Sequence, residues 1–260
     1  MNNRQKIRKT IIIVMFFFFP ITITWLSPVI PLLYAGFVGF ISPASIPPHA
    51  VVFFGVFTGA AIIFVLQFII SLFLGRAFCG FACSAGGLQE CLMRVSEKKI
   101  KSSKISIIKY FIWVPWLIGI IGGFVWAGGI REVDFFAGTV DNYIFLFAPY
   151  RYIIYFGVIL LITTLHLLVG KRAFCHSMCW MSPFLIIGTK ISQWLKLPRL
   201  RLKAIKENCN GCGICTRKCG MSLSVKEMAQ CGDMRNAECI LCGECVDACP
   251  KKAIVYSFRK

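Results

Sequence analysis

Hydrophobic residues run from position 10 to position 75 without one charged side chain, and charge-free runs return at 111–130 and 152–170. A bilayer-crossing helix takes about 20 apolar residues, so the first run holds two spans and each later run holds one. That predicts four transmembrane helices, arranged as two helical hairpins. A cleaved leader would leave a single apolar segment after a basic start, and here further spans follow it. The first run is interrupted by Ser42-Pro43-Ala44-Ser45-Ile46-Pro47-Pro48. Proline lacks the amide proton and drives the preceding residue out of helix, so this stretch predicts the first extramembrane turn. Pro20, Pro28 and Pro31 predict a kinked first helix.

Of the 260 residues, 57% are hydrophobic and 15% charged, which is too apolar for a soluble domain of this size. The lysines and arginines sort to one side of the predicted spans. Arg4, Lys6, Arg8 and Lys9 precede the first; Arg76, Arg94, Lys98, Lys99, Lys101, Lys104 and Lys109 lie between the second and third. Lys171, Arg172 and a further basic series follow the fourth. By the positive-inside rule both termini are cytoplasmic, which predicts a multi-pass protein of a prokaryotic cytoplasmic membrane. The formal charge of +18 then reads as attraction to anionic lipid, or as a docking face for an acidic cytoplasmic electron carrier. No nucleic-acid recognition module accompanies it.

Arg76-Ala77-Phe78-Cys79 with Cys83 is echoed by Arg172-Ala173-Phe174-Cys175 with Cys179, each copy at the predicted cytoplasmic end of a hairpin. Positions four apart share a helical face, so each pair is expected to present two sulfurs inward, and two packed hairpins would assemble four. Four thiolates suit an iron–sulfur cluster or a closed zinc site, whereas plain buried cysteines act as small hydrophobes. Duplication of the whole unit favours a third iron–sulfur cluster. Arg76 and Arg172 would then stand beside an anionic cluster, or else snorkel to the interface. The amphipathic stretches 88–99 and 184–196 are expected along the membrane surface or over the cluster.

From Glu207 the chain turns polar and cysteine-rich. Cys209, Cys212, Cys215 and Cys219 are followed by Cys239, Cys242, Cys245 and Cys249-Pro250, the spacing of a bacterial two-cluster ferredoxin. That spacing assigns one [4Fe-4S] cluster to Cys209, Cys212, Cys215 and Cys249, and a second to Cys239, Cys242, Cys245 and Cys219. Gly211, Gly213 and Gly243 fall where the backbone must turn tightly. Gly220 stands where the pattern has proline. Cys91 and Cys231 have no partner at a ligand-like spacing and read as structural. The chain thus divides into a membrane domain, 1–200, and a small α+β two-cluster ferredoxin domain, 201–260.

These motifs together resemble the membrane polyferredoxins of the NapH/NosR type, over nearly the whole chain. In that family proline normally follows the second cysteine of each pair, where this chain has Ser84 and Trp180. The resemblance implies a membrane electron-transfer subunit of a quinol-linked oxidoreductase, working beside a membrane or periplasmic redox partner. A related group implies instead copper reduction for oxidase assembly, so a metal reductase or assembly factor is the competing reading.

Only three histidines are present, too few for a pair of bis-histidine haems, and no predicted span carries an acid of the kind pumps use. His166 is the candidate to protonate or orient a quinone, His176 the candidate to tune the membrane cluster, and His49 a solvated loop residue. The expected route runs from a soluble carrier through two cubanes and a third cluster to quinone or a partner.

Overall fold

The computed structural model describes residues 3–17, 56–100, 105–126, 128–130, 132–134 and 149–259. The proline-rich first turn, Pro20, Pro28, Pro31, His49 and most of the 131–151 loop lie outside the described residues.

The described chain is mostly helical. Helix α1 (Asn3–Phe17) is followed by strand β1 (Val56–Thr58), which runs into α2 (Gly59–Leu74). Then come α3 (Ala77–Phe81), α4 (Ser84–Leu92) and the long α5 (Ile105–Trp126). Strand β2 (Glu132–Asp134) pairs in parallel with β1, and α6 (Pro149–Leu168), α7 (Ala173–Ser177) and α8 (Met181–Trp194) follow. The duplication seen in the cysteine motifs is therefore a duplication of structure. Each copy has an apolar helix, a corner, a five-residue helix, a second corner and a further helix: α2–α3–α4 and α6–α7–α8.

Helix α5 is the one described helix long and apolar enough to cross a bilayer, and only 11% of its apolar window is buried in the fold. Phe111, Ile118 and Val125 recur every seven residues on its exposed side, an outward apolar stripe. Pro115 sits inside it. Phe64–Leu74 and Phe156–Leu168 are shorter apolar stretches, within α2 and α6. Of the four expected spans, then, one meets the length criterion among the described residues.

Each copy bends where the sequence reading expected a continuous helical face. Helix α3 stops at Phe81, and the amides of Ala82 and Cys83 both bond back to the Phe78 carbonyl, at 2.9 and 3.1 Å. In the second copy Met178 and Cys179 close on Phe174 in the same way, at 3.0 Å each. The second bond of each set spans five residues and widens the last turn, so each pair has one cysteine within a short helix and one in the corner beyond it. The segment 184–196 had two expected placements, along a membrane surface or over the cluster. Most of it belongs to α8, whose Leu185, Ile186, Gly188, Thr189 and Ser192 are buried in the fold rather than laid along a membrane surface.

Glycines set how closely the helices approach. A Cβ on Gly87 of α4 would stand 2.4 Å from the Ile12 carbonyl of α1. One on Gly188 of α8 would stand 1.8 Å from Ser71 Oγ and 3.2 Å from the Phe68 carbonyl of α2. Small residues at such crossings are the packing device of helices in an apolar medium, where hydrophobic burial supplies no drive for helices to associate. Phe64, Trp113, Trp116 and Phe184 lock α2, α5 and α8 together, with ring centroids 5.1 to 5.8 Å apart.

The C-terminal module opens with strand β3 (Arg199–Ala204), paired antiparallel with the last strand β4 (Ile254–Arg259) from Arg199 opposite Arg259 to Ala204 opposite Ile254. Between them lie α9 (Ile214–Lys218), α10 (Val225–Cys231) and α11 (Glu244–Asp247). Leu202, Ala204, Met221, Val225, Ala229, Ile240 and Ile254 form the core around which the cysteine loops wrap.

Gly87→Ala forces a backbone carbonyl aside, and overpacking of this kind costs about 1–3 kcal/mol. Thermal unfolding in detergent should show that loss, while Gly122→Ala, where an added Cβ meets nothing within 4 Å, should leave the midpoint unchanged or raised.

Candidate metal centres

Twelve of the fourteen cysteines gather in three quartets. Cys209, Cys212, Cys215 and Cys249 line one recess of the C-terminal module, together with Gly211 and Gly213. Cys219, Cys239, Cys242 and Cys245 line another. The interleaving arises because both helices begin straight after a turn in the left-handed region. Gly213 (φ 74°) precedes α9 and Gly243 (φ 76°) precedes α11. Gly211 adopts φ 71°, and its counterpart in the second run is Leu241 at φ 53°. A second matched pair, Ser222 and Lys252, takes φ 55° and 49° after the last cysteine of each run. Left-handed backbone at non-glycine residues is costly, and its recurrence at the same interval in both runs shows the cysteine spacing imposing one loop geometry twice.

The third quartet is Cys79, Cys83, Cys175 and Cys179. Burial pushes the Cys83 thiol up to about 12, with Cys79 and Cys175 adding to the effect. Burial, then Cys175, Cys79 and Cys83, drive Cys179 well above the ordinary thiol value. For Cys79, burial outweighs the opposing pull of Arg76 and Arg172. The duplicated motifs thus bring four sulfurs into mutual electrostatic reach. Among the described residues no three His, Cys, Asp or Glu side chains converge as a single metal ion requires. The quartets surround a space rather than a point.

The donor set fits an iron–sulfur cluster. Thiolates are the ligands such clusters take, and the surroundings offer cations and N–H groups to an anionic centre. Gln89 donates Nε2 to Cys175 Sγ at 3.2 Å, and the Ala253 amide donates to Cys249 Sγ at 3.3 Å. The Arg76 Nε is buried without a partner. Thiols pushed up by burial carry protons until a metal displaces them, so loading these sites releases protons.

Both motif arginines are buried outright, at 1% exposure for Arg76 and 0% for Arg172, so neither snorkels to an interface. Each is held by an acid that the sequence reading did not single out. Arg172 Nη2 meets Glu90 at 2.8 Å, and Arg8 Nη2 meets the other oxygen of Glu90 at 2.8 Å. Arg76 Nη1 meets Glu238 at 2.6 Å, and Lys109 pairs with the second oxygen of Glu238. Arg8 and Lys109 were read as part of the basic flanks facing lipid; both are buried ion-pair partners instead. The available signal was scarcity. With 11 acids against 29 lysines and arginines, an acid inside an otherwise basic segment is a candidate internal counterion.

The two histidines occupy different settings. His176 is buried in α7, its Nε2 3.1 Å from the Met221 carbonyl and its Nδ1 3.0 Å from Ser106 Oγ. Burial depresses it to about 4 despite the attraction of Glu238, so it is neutral, donating to Met221 and accepting from Ser106. His166 is fully buried with Nε2 3.3 Å from the Ser96 carbonyl, which ties α6 to the segment after α4. Phe174 is buried edge-on to Trp180, with centroids 6.0 Å apart. Cys91 is half-buried on α4 and Cys231 is exposed at the end of α10.

Position 80, which is His176 in the second copy, is glycine in the first for a spatial reason. A Cβ on Gly80 would lie 2.4 Å from the Ile240 carbonyl and 3.5 Å from Cys242. The two equivalent positions of the duplicated motif therefore grip the second ferredoxin quartet from two sides. Gly80 presses against the Cys239–Cys242 loop, and His176 bonds the carbonyl two residues after Cys219.

Comparison with known proteins finds matches along both the duplicated motifs and the cysteine-rich module. The 4Fe-4S binding domain model matches twice, over residues 51–103 and 149–198, and the 4Fe-4S dicluster domain model matches residues 208–254. The chain is similar to two uncharacterized proteins of Methanocaldococcus jannaschii. One, MJ0749, is 22% identical over 74% of this chain and 69% of its own length. The other, MJ0750, is 26% identical over 73% and 75%. YccM of Escherichia coli (strain K12), whose name proposes electron transport, is 22% identical over 79% of this chain, which spans 57% of YccM. No solved structure matches.

Glu90→Gln leaves Arg172 buried without a carboxylate partner and Arg8 with Glu244 alone, and breaking such a buried pair costs about 3–5 kcal/mol. Burial alone would raise the Glu90 carboxyl, but Arg172 and Arg8 outweigh it and hold it down at about 2. Its folded value is depressed, so its contribution is complete above the ordinary 4.5 and is lost as pH falls toward 2. Unfolding midpoints measured from pH 6 downward should fall more steeply in the wild type than in Glu90→Gln. In parallel, Gly80→Ala should displace the Ile240 loop and change the redox spectrum of the second ferredoxin quartet, whereas His176→Gln, which retains a donor, should perturb it less.

Proposed function

We propose that the chain is a membrane-bound iron–sulfur electron carrier. Two [4Fe-4S] clusters sit in the C-terminal module, held by the two ferredoxin quartets, and a third iron–sulfur cluster is held by Cys79, Cys83, Cys175 and Cys179. Electrons pass between a cytoplasmic carrier and the quinone pool or a membrane or periplasmic redox partner. The observation that carries this reading is the contact at Gly80 and His176, which sets the duplicated motif directly against the loops of the second quartet. Three quartets in one continuous row are what a relay requires, because each centre must lie close to the next. The chain's own residues provide burial, N–H donors to sulfur and buried guanidinium groups, the features by which a protein tunes a cluster's potential.

The same reading takes α2, α5, α6 and the continuation of α1 as four membrane spans, with both termini on the cytoplasmic side. Two findings support it. The outer faces of α5 and α6 are rich in exposed Phe, Ile, Leu and Val, more than a water-facing surface carries without a partner. Arg4 pairs with Asp247 at 2.7 Å and Arg8 with Glu244 at 2.9 Å, so the N-terminal helix and the C-terminal module lie on one side.

Iron and acid-labile sulfide, counted on anaerobically purified protein, test the reading. Three cubanes predict about 12 iron atoms per chain, and about 8 when Cys79, Cys83, Cys175 and Cys179 are all replaced by Ser. Equal counts of about 8 in both proteins would remove the third cluster and leave a membrane-anchored ferredoxin. Reoxidation by a soluble quinone, present in the wild type and lost in the four-Ser variant, would place quinone at the membrane end.

A further inference from the structure

We infer that the cavity between α1, α4, the corner before α7 and the Cys219 turn is a binding site for a phosphate group, supplied by an anionic lipid. Five cations line it: Lys9, Arg94, Lys171, Arg172 and Lys218. Its three carboxylates are already engaged. Glu90 holds Arg8 and Arg172, Glu244 holds Arg8 and Lys9, and Glu97 meets Lys171 at 3.4 Å. Arg94 and Lys218 make no ion pair among the described residues. The Nε of Arg172, in a side chain with no exposure, is buried without a hydrogen-bond partner. That Nε faces Gly220, which also lines the cavity, since a Cβ built there would lie 3.7 Å from it.

Gly220 explains why the space exists. The two-cluster pattern has proline at this position, and a Cβ here would already meet Met93 Sδ at 3.6 Å. A proline ring would reach further into the cavity that glycine leaves open. What remains is a guanidinium N–H at the back and a guanidinium and an ammonium at the mouth. Several donors and charges around one small volume match a phosphate, which accepts several charge-assisted hydrogen bonds at once.

The surroundings favour a lipid as its source. Ile13 of α1 lines the cavity, and Ile7, Ile11 and Val14 of the same helix are exposed. Leu167 and Leu168, which precede Lys171, are exposed as well. An opening ringed by cations and bordered by outward apolar side chains lies at the level where headgroups meet acyl chains. The site also touches Cys242 of the second ferredoxin quartet, so occupancy should alter the spectrum of a cluster held there.

The test uses the full chain with its clusters, purified in detergent, and isothermal titration with three probes: dioctanoyl phosphatidylglycerol, dioctanoyl phosphatidylcholine and inorganic phosphate. Phosphatidylglycerol should bind saturably, phosphatidylcholine weakly. Arg94→Gln with Lys218→Gln should weaken phosphatidylglycerol about thirtyfold, at roughly 1 kcal/mol for each charge near the surface. Arg94→Lys with Lys218→Arg should retain it. Iron content should be the same in all forms, which separates this site from cluster binding. If inorganic phosphate binds as tightly and is lost in the same Gln variant, the phosphate site stands and its ligand is soluble. Equal binding of both lipids, unchanged binding in the Gln variant, or no binding of any probe by the wild type would overturn the inference.

Discussion

Two carboxylates, one buried and one half-buried, carry the architecture. Glu90 joins Arg8 of the first helix to Arg172 of the second motif, and Glu238 joins Arg76 of the first motif to Lys109 of the longest helix. A guanidinium taken out of water is tolerable only with a counter-charge and filled hydrogen bonds, so neither acid can be withdrawn without exposing a buried cation to an apolar setting. Each pair also crosses between parts of the chain far apart in sequence. Arg76 and Glu238 connect the duplicated motif to the cysteine-rich module. The positions of all three cysteine quartets therefore rest on these few contacts.

Duplication supplies the frame, and departures from it supply the fit. Both copies close their short helix on a phenylalanine carbonyl and place the second cysteine in the corner beyond. Their corner residues differ, with Arg76 at φ −91° and Arg172 in the left-handed region at φ 54°. Position 80 is bare where position 176 carries an imidazole, because one side of the ferredoxin module comes to within a backbone's breadth and the other stands a side chain away. A strictly symmetric motif could not hold an asymmetric module. The mismatch between the copies is what orients that module.

The cysteine spacing made the two ferredoxin quartets readable before any coordinates, since the eight cysteines and three glycines leave few loop geometries open. The quartet of the duplicated motif was legible as a repeat, but its local geometry was not. A four-residue spacing implies a shared helical face only if the helix continues, and nothing in Phe-Ala-Cys or Ser-Met-Cys announces the widened turn that ends it. The ion-pair partners were hidden for a different reason. Arg8 and Lys109 satisfy the positive-inside pattern whether they face lipid or carboxylate, and composition cannot separate those settings. The placement of 184–196 stayed open between two settings because an amphipathic segment looks alike on a membrane and beneath a soluble module.

A fixed module has a consequence for the proposed relay. The C-terminal module is tied by Arg4 to Asp247, by Arg8 to Glu244, by Arg76 and Lys109 to Glu238, and by His176 to Met221. Gln5 adds bonds to the Cys242 carbonyl and to Asp247 at 3.0 and 2.7 Å. So many anchors, several of them buried, do not suit a ferredoxin that swings between partners. Electrons would instead cross a row of centres at set separations, and the exchange with outside carriers would fall to the quartet least enclosed. That is the first ferredoxin quartet, where Cys212 is exposed and Cys209 and Cys249 are half-buried. The second quartet faces the duplicated motif through Gly80, so the two ends of the row differ in character: one open to solvent, one enclosed among helices.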